Sequence, residues 1–192
     1  MKTTRLLAAC LLICLSAGSA FSGSRRNSPN ARIERFSATL SIVSGPGAGT
    51  VRPITIYISD YSTEAEAKML AGAFADGGSK MLFKVLTKMK SKGRIAPTGS
   101  VGYQIRFIRS TDTPNGRKVV MLTDRPIGFL EAYYGTRSKD YQYGLVELNL
   151  NDNGKGEGSL IYAAKVKAIR GDTIEVENFG IEPARVLNIR KL

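Results

Sequence analysis

The chain has 192 residues, a formal charge of +12, two cysteines, and neither histidine nor tryptophan. Without histidine it lacks the usual general base near neutral pH and the commonest metal ligand. Ser-His-Asp hydrolysis, Cys-His catalysis and His-bearing zinc sites are thereby excluded.

The opening stretch, MKTTRLLAACLLICLSAGSA, reads as a secretory signal. Lys2 and Arg5 precede an apolar run from Leu6 to Leu15, and Gly18-Ser19-Ala20 supplies the small residues of a cleavage site. The run is too short for a permanent membrane anchor. Cleavage after Ala20 would remove both Cys10 and Cys14, leaving a mature chain with no disulfide and no thiolate site. It would also lower the charge by two, to +10. A lipobox reading of Leu7-Ala8-Ala9-Cys10 is the weaker rival, because cutting there leaves almost no apolar run. Export to the periplasm or medium is the expectation. Residues 21–30 read as a polar, basic, flexible lead-in, and residues 31–192 as a single β-rich domain.

Alternation marks the first two strands. Phe36, Ala38, Leu40 and Ile42 form one apolar face, and Ile54, Ile56 and Ile58 another. The glycine-rich turn between them, SGPGAGT, lacks the Gly-Lys-Ser/Thr ending of a phosphate loop. A two-helix insertion follows the second strand. Thr63 and Glu66 are spaced as a capping box, with Ala67, Leu70, Ala71 and Phe74 on one face. Gly77-Gly78 ends the first helix. Ser79 caps the second, which turns Met81, Leu82, Val85, Leu86 and Met89 inward and ends at Gly93.

Strands then resume. Val101, Tyr103, Ile105 and Phe107 share a face, with Arg106 pointing away, and Asn115-Gly116 suits a tight primed hairpin turn. A further hairpin has a glycine-rich tip, NDNGKGEG. In the last hairpin, a loop of Arg170, Gly171 and Asp172 sets Ala168 against Ile174 and Val166 against Val176. The same register sets Lys167 against Glu175 and Lys165 against Glu177, keeping apolar and charged pairs apart. The expected fold is α+β: about eight or nine mostly antiparallel strands in a curved sheet, a barrel or a sandwich, with two helices inserted after the second strand.

Five rings crowd residues 123–144: Phe129, Tyr133, Tyr134, Tyr141 and Tyr143. They either seal one end of the sheet or line a shallow site. In the second case Arg125, Phe129, Tyr133, Tyr134, Arg137 and Tyr141 are the ligand-binding candidates, with Lys139 as a further cation. Glycoside cleavage would need two facing carboxylates, drawn from Asp124, Glu131, Asp140, Glu147 and Glu157; pairing of these acids with lysine and arginine is the plainer use. Asn149 to Gly154 has calcium-loop composition, but Leu160 occupies the position where a bidentate glutamate is needed. Tyr103, Arg106, Phe107 and Arg109 match a nucleic-acid pattern only loosely, and no nucleic-acid partner, metal or cofactor is expected.

Tyr61-Ser62-Thr63 before the helical segment and Thr123 to Phe129 (TDRPIGF) resemble stretches of a group of secreted bacterial proteins without an assigned activity. The resemblance spans most of the mature chain and implies a β-rich body with a helical insertion, without implying a function or site residues. It differs from the fatty-acid-binding barrels, whose helices follow the first strand.

The leading expectation is an exported, non-enzymatic module, structural or ligand-binding, associated with an anionic envelope polymer or a small ligand. The alternatives are a carrier of a small apolar ligand between sheet and helices, and a carboxylate-dependent hydrolase of envelope polysaccharide. Charge supports the first: a strongly basic exported protein is drawn to anionic surfaces.

Overall fold

A computed structural model describes residues 33–45, 47–127, 141–168, 174–178 and 182–192. The expected signal and most of the expected lead-in, residues 1–32, lie outside the described residues. Among the described residues nine strands and one helix follow in order: β1 (Glu34–Ser41), β2 (Val51–Ile58), α1 (Glu64–Leu86), β3 (Gly93–Pro97), β4 (Tyr103–Thr113), β5 (Gly116–Thr123), β6 (Tyr143–Leu150), β7 (Lys155–Ala168), β8 (Ile174–Asn178) and β9 (Ala184–Lys191). All pairings are antiparallel.

The sheet runs β6-β5-β4-β3-β2-β1-β9-β7, and a β6–β7 pairing closes it into an eight-stranded barrel. Closure removes free edges, and a barrel of eight strands is just wide enough for side chains to fill. The inward residues are almost all aliphatic: Ile56 and Ile58, Ile95, Ile105 and Ile108, Val119 and Met121, Leu148, Leu160 and Ile189, with Phe36. β7 is long. Its first part pairs with β6 and β9, and its last residues carry β8 as a two-stranded extension. There Lys165 is opposite Glu177, Val166 opposite Val176, Lys167 opposite Glu175 and Ala168 opposite Ile174, the register that separates charged from apolar pairs. The loop residues 169–173 are outside the described set.

A second apolar layer lies on the outside of the barrel. Leu70, Phe74, Leu82 and Leu86 of α1, with Met89, pack on Phe107, Tyr143, Leu145, Ala164 and Val166. The helix thus covers the outer face of β4 to β7, and among the described residues no helix lies on the opposite wall, β9-β1-β2-β3. α1 follows β2 as expected, and its capping box is present: Thr63 Oγ1 accepts from the Glu66 N–H (3.2 Å) and Glu66 Oε2 from the Thr63 N–H (2.8 Å).

Six expectations need correction. The insertion is one helix of 23 residues with a kink, not two helices. Gly77 and Gly78 leave helical dihedrals, but helix resumes at once, so no loop separates two elements. Ser79 therefore sits inside α1 and does not cap a second helix; its carbonyl accepts from the Tyr143 hydroxyl (2.5 Å). Met81 is 38% exposed. In β4 a bulge between Ile105 and Phe107 reverses the alternation, so Ile108 points into the barrel and Phe107 out under the helix. Val101 is exposed in the loop before β4. Finally, the β4–β5 hairpin turns at Pro114-Asn115, since Thr113 is opposite Gly116. Proline fixes a negative φ and cannot enter a primed turn; Gly116 takes the positive φ (139°) one residue later.

β9 carries one extra residue relative to β1. Ser37 is opposite Arg190, but Thr39 is opposite Leu187, and Asn188 adopts φ 53° at this bulge.

Candidate functional site

Of the six candidate ligand-binding residues, Phe129, Tyr133, Tyr134 and Arg137 lie outside the described residues. The other two have different neighbours. The Arg125 guanidinium stacks on Tyr103 (4.8 Å to the ring centroid) and donates to the Gly102 carbonyl (3.3 Å). Tyr141 lies under the Lys165 ammonium (5.8 Å). Tyr143 is fully buried beneath α1, edge-on to Phe83, and belongs to the helix–sheet layer. Among the carboxylates, Asp124 pairs with Arg106 (2.8 Å) and Glu147 with Lys118 (2.9 Å). Glu131 and Asp140 are outside the described residues. Asn151 uses its side-chain oxygen within the hairpin tip, accepting from the N–H groups of Asn153 and Lys155 (3.0 Å each). Among the described residues no three acidic, histidine or cysteine side chains are grouped to hold a metal.

Two arrangements not anticipated from the sequence stand out. The first closes one end of the barrel. Glu34 on β1, Arg117 on β5 and Lys191 on β9 all take inward positions, in phase with Phe36, Val119 and Ile189. Arg117 Nη2 donates to both Glu34 oxygens (3.1 Å), Lys191 Nζ to Oε1 (2.5 Å) and the Tyr61 hydroxyl to Oε2 (2.5 Å). Arg117 Nη1 also donates to the Tyr61 hydroxyl oxygen (3.0 Å). Glu34 is only 8% exposed. Burial alone would raise its pKa, but the bonds from Lys191, Tyr61 and Arg117 win and hold it below the usual carboxylate range. Burial, and then the bond to Glu34, push the Tyr61 hydroxyl well above the ordinary tyrosine value. With every member paired, this group is suited to locking the barrel end rather than to proton transfer at neutral pH. The signal for it was a charge at an inward-phase position: Glu34 heads the Phe36-Ala38-Leu40 face, and Arg117 heads Val119-Met121.

The second arrangement is on the helix-free wall. Arg35, Tyr57 and Arg94 stand directly opposite one another on β1, β2 and β3, pointing outward. The guanidiniums of Arg94 and Arg35 lie over the Tyr57 ring, at 4.5 and 5.8 Å from its centroid. In the adjoining row, Lys155, Arg190, Ser37 and Thr55 are successive partners across β7, β9, β1 and β2. Arg35, Arg94, Arg190 and Lys155 are exposed and form no ion pair among the described residues. Arg185 adds a further outward cation on β9, and Glu157 on β7 is the one outward acid on these five strands.

The far end of the barrel is apolar. Ile127 is buried over Gly144, where an added Cβ would come within 2.5 Å of its side chain, and its N–H bonds the Tyr162 carbonyl (2.8 Å). The Tyr162 hydroxyl is buried without a hydrogen-bond partner among the described residues, and burial pushes its pKa up to about 12.

No family model, curated protein or solved structure matches the chain. Among the described residues no helix is long and apolar enough to cross a membrane.

Proposed function

We propose that this protein is an exported, non-enzymatic module that associates with anionic components of the cell envelope through its helix-free wall. One observation carries the reading: Arg35, Arg94, Arg185 and Arg190 are exposed on the outer face of β1, β3 and β9, and among the described residues none of these four is ion-paired to an acid. Such a surface attracts anions and concentrates them against a rigid scaffold. The expected signal segment supplies the compartment, and the overall charge of +12 has the right sign. The test is cosedimentation of the purified protein with isolated envelope fragments over a salt series. Binding should be strong at low salt and fall steadily as ionic strength rises. Failure to bind anionic material at low salt removes the reading.

A second reading, a carrier, is favoured by the Tyr162 hydroxyl. A buried polar group without a partner costs roughly 1–3 kcal/mol, and a bound molecule offering a hydrogen bond would relieve that cost. Native mass spectrometry of protein purified from its own host checks this. A copurifying small molecule lost in Tyr162→Phe supports it, and a bare mass in the wild type counts against it.

A further inference from the structure

We infer that the two adjoining rows on the helix-free wall form a track for one extended acidic polysaccharide chain lying across the strands. This rests on the reading of that wall as anion-binding and names the partner. Arg94, Arg35, Arg190 and Lys155 sit on β3, β1, β9 and β7, with Tyr57 on β2 between the first two. Five neighbouring strands span about 19 Å along the sheet at about 4.8 Å per step. Cations spaced over that length match a polymer with repeated charges better than a single small anion.

The stacking on Tyr57 has a consequence for recognition. It holds two guanidinium planes in place and leaves their outer N–H donors free for carboxylate, so less side-chain freedom is lost on binding. It also occupies the one ring described on the outward face of these strands. Single-stranded nucleic acid is held by bases stacking on open rings, and this wall offers none. Between the cations stand Ser37 and Thr55, whose hydroxyls suit sugar hydroxyls. The outer wall of a barrel is convex, so a flat lipid surface could touch only a strip of it, whereas a flexible polymer can follow the curve.

The test is calorimetric titration of the full mature chain at low salt with four probes: polygalacturonate, its fully methyl-esterified form, oligothymidylate and phosphatidylglycerol vesicles. Wild type should bind polygalacturonate best and ignore the ester. Arg35→Ala with Arg94→Ala should weaken that binding about tenfold or more, since charge-assisted bonds are lost. Tyr57→Leu keeps the charge and should still cost about two- to fivefold, the scale of exposed cation–π contacts. Lys80→Ala with Lys84→Ala, on the exposed face of α1, removes equal charge and should have little effect. Thermal melts of each variant confirm that the fold persists. Equal losses in the two double variants, or no loss in Tyr57→Leu, would overturn the track. Stronger binding to oligothymidylate or vesicles would overturn the polysaccharide assignment while leaving the anion-binding wall intact. No binding to any charged probe would overturn both.

Discussion

The carboxylate of Glu34 and the guanidinium of Arg117 meet across the lumen of the barrel. β1 and β5 are four strands apart in either direction around the closed sheet, so this 3.1 Å contact joins opposite walls. Lys191 and Tyr61 complete the group. Substituting Glu34→Gln leaves two cations facing each other without their counter-charge. Loss of one partner of a buried pair costs about 3–4 kcal/mol. For a chain of this size the melting temperature should drop by about 6–16 °C.

The same group dictates an acid response. Glu34 has a folded pKa below its unfolded value near 4.5. Its stabilisation is therefore fully present above that value and is lost as pH falls through the folded pKa. Thermal melts between neutral pH and strong acid should show wild type losing stability below about pH 4.5, and Glu34→Gln losing less over that range. Parallel curves would mean that other carboxylates control acid unfolding.

At the alkaline side, Tyr61, Tyr143 and Tyr162 all have pKa values raised above 10.0, with burial the leading cause in each. A raised value means stability is complete below the unfolded pKa and declines as pH climbs from there towards the folded one. Ultraviolet titration should therefore show three tyrosines that stay protonated above pH 10.0 and then ionise together with unfolding.

The kink in α1 gives a backbone prediction. Gly78 has φ 59° and ψ −152°, a region that side chains avoid, and no atom within 4 Å would obstruct a Cβ there. Gly78→Ala should cost about 1–3 kcal/mol through backbone strain alone. Urea denaturation of the variant measures it, and an unchanged midpoint would show that the kink can relax.

At the apolar end, Gly144→Ala should destabilise by about 1–3 kcal/mol, because its Cβ would overlap Ile127 Cγ1 at 2.5 Å and Cδ1 at 2.6 Å. Thr123 Oγ1 would also lie 2.6 Å from that Cβ, so shortening Ile127 alone should recover only part of the loss, and Gly144→Ala with Ile127→Ala should be non-additive in a double-mutant cycle.

Much of the sheet was legible because alternation is a local signal. The inward faces of β1 and β2 and the β7–β8 register follow from residues a few positions apart. The bulge at Ile105–Phe107 was hidden, since nothing in GYQIRFIR marks where the period slips. The kink was read as a helix end because Gly77-Gly78 is the usual punctuation for one. Glu34 and Arg117 are 83 residues apart, and only closure of the barrel brings them together. The row of Arg35, Tyr57 and Arg94 depends on three strands being in register, with α1 intervening between the second and third. Charge pointed towards anions from the outset, but composition says nothing about which wall bears it.

Asn188 determines how the last two basic residues are shared out. Because of the bulge, Lys191 turns to the lumen and bonds Glu34, while Arg190 turns to solvent beside Ser37. Were Asn188 to take regular strand dihedrals instead, the two would exchange sides: a guanidinium would enter the lumen and an ammonium would stand outside. One left-handed asparagine thus sorts cations between holding the molecule shut and meeting what lies beyond it.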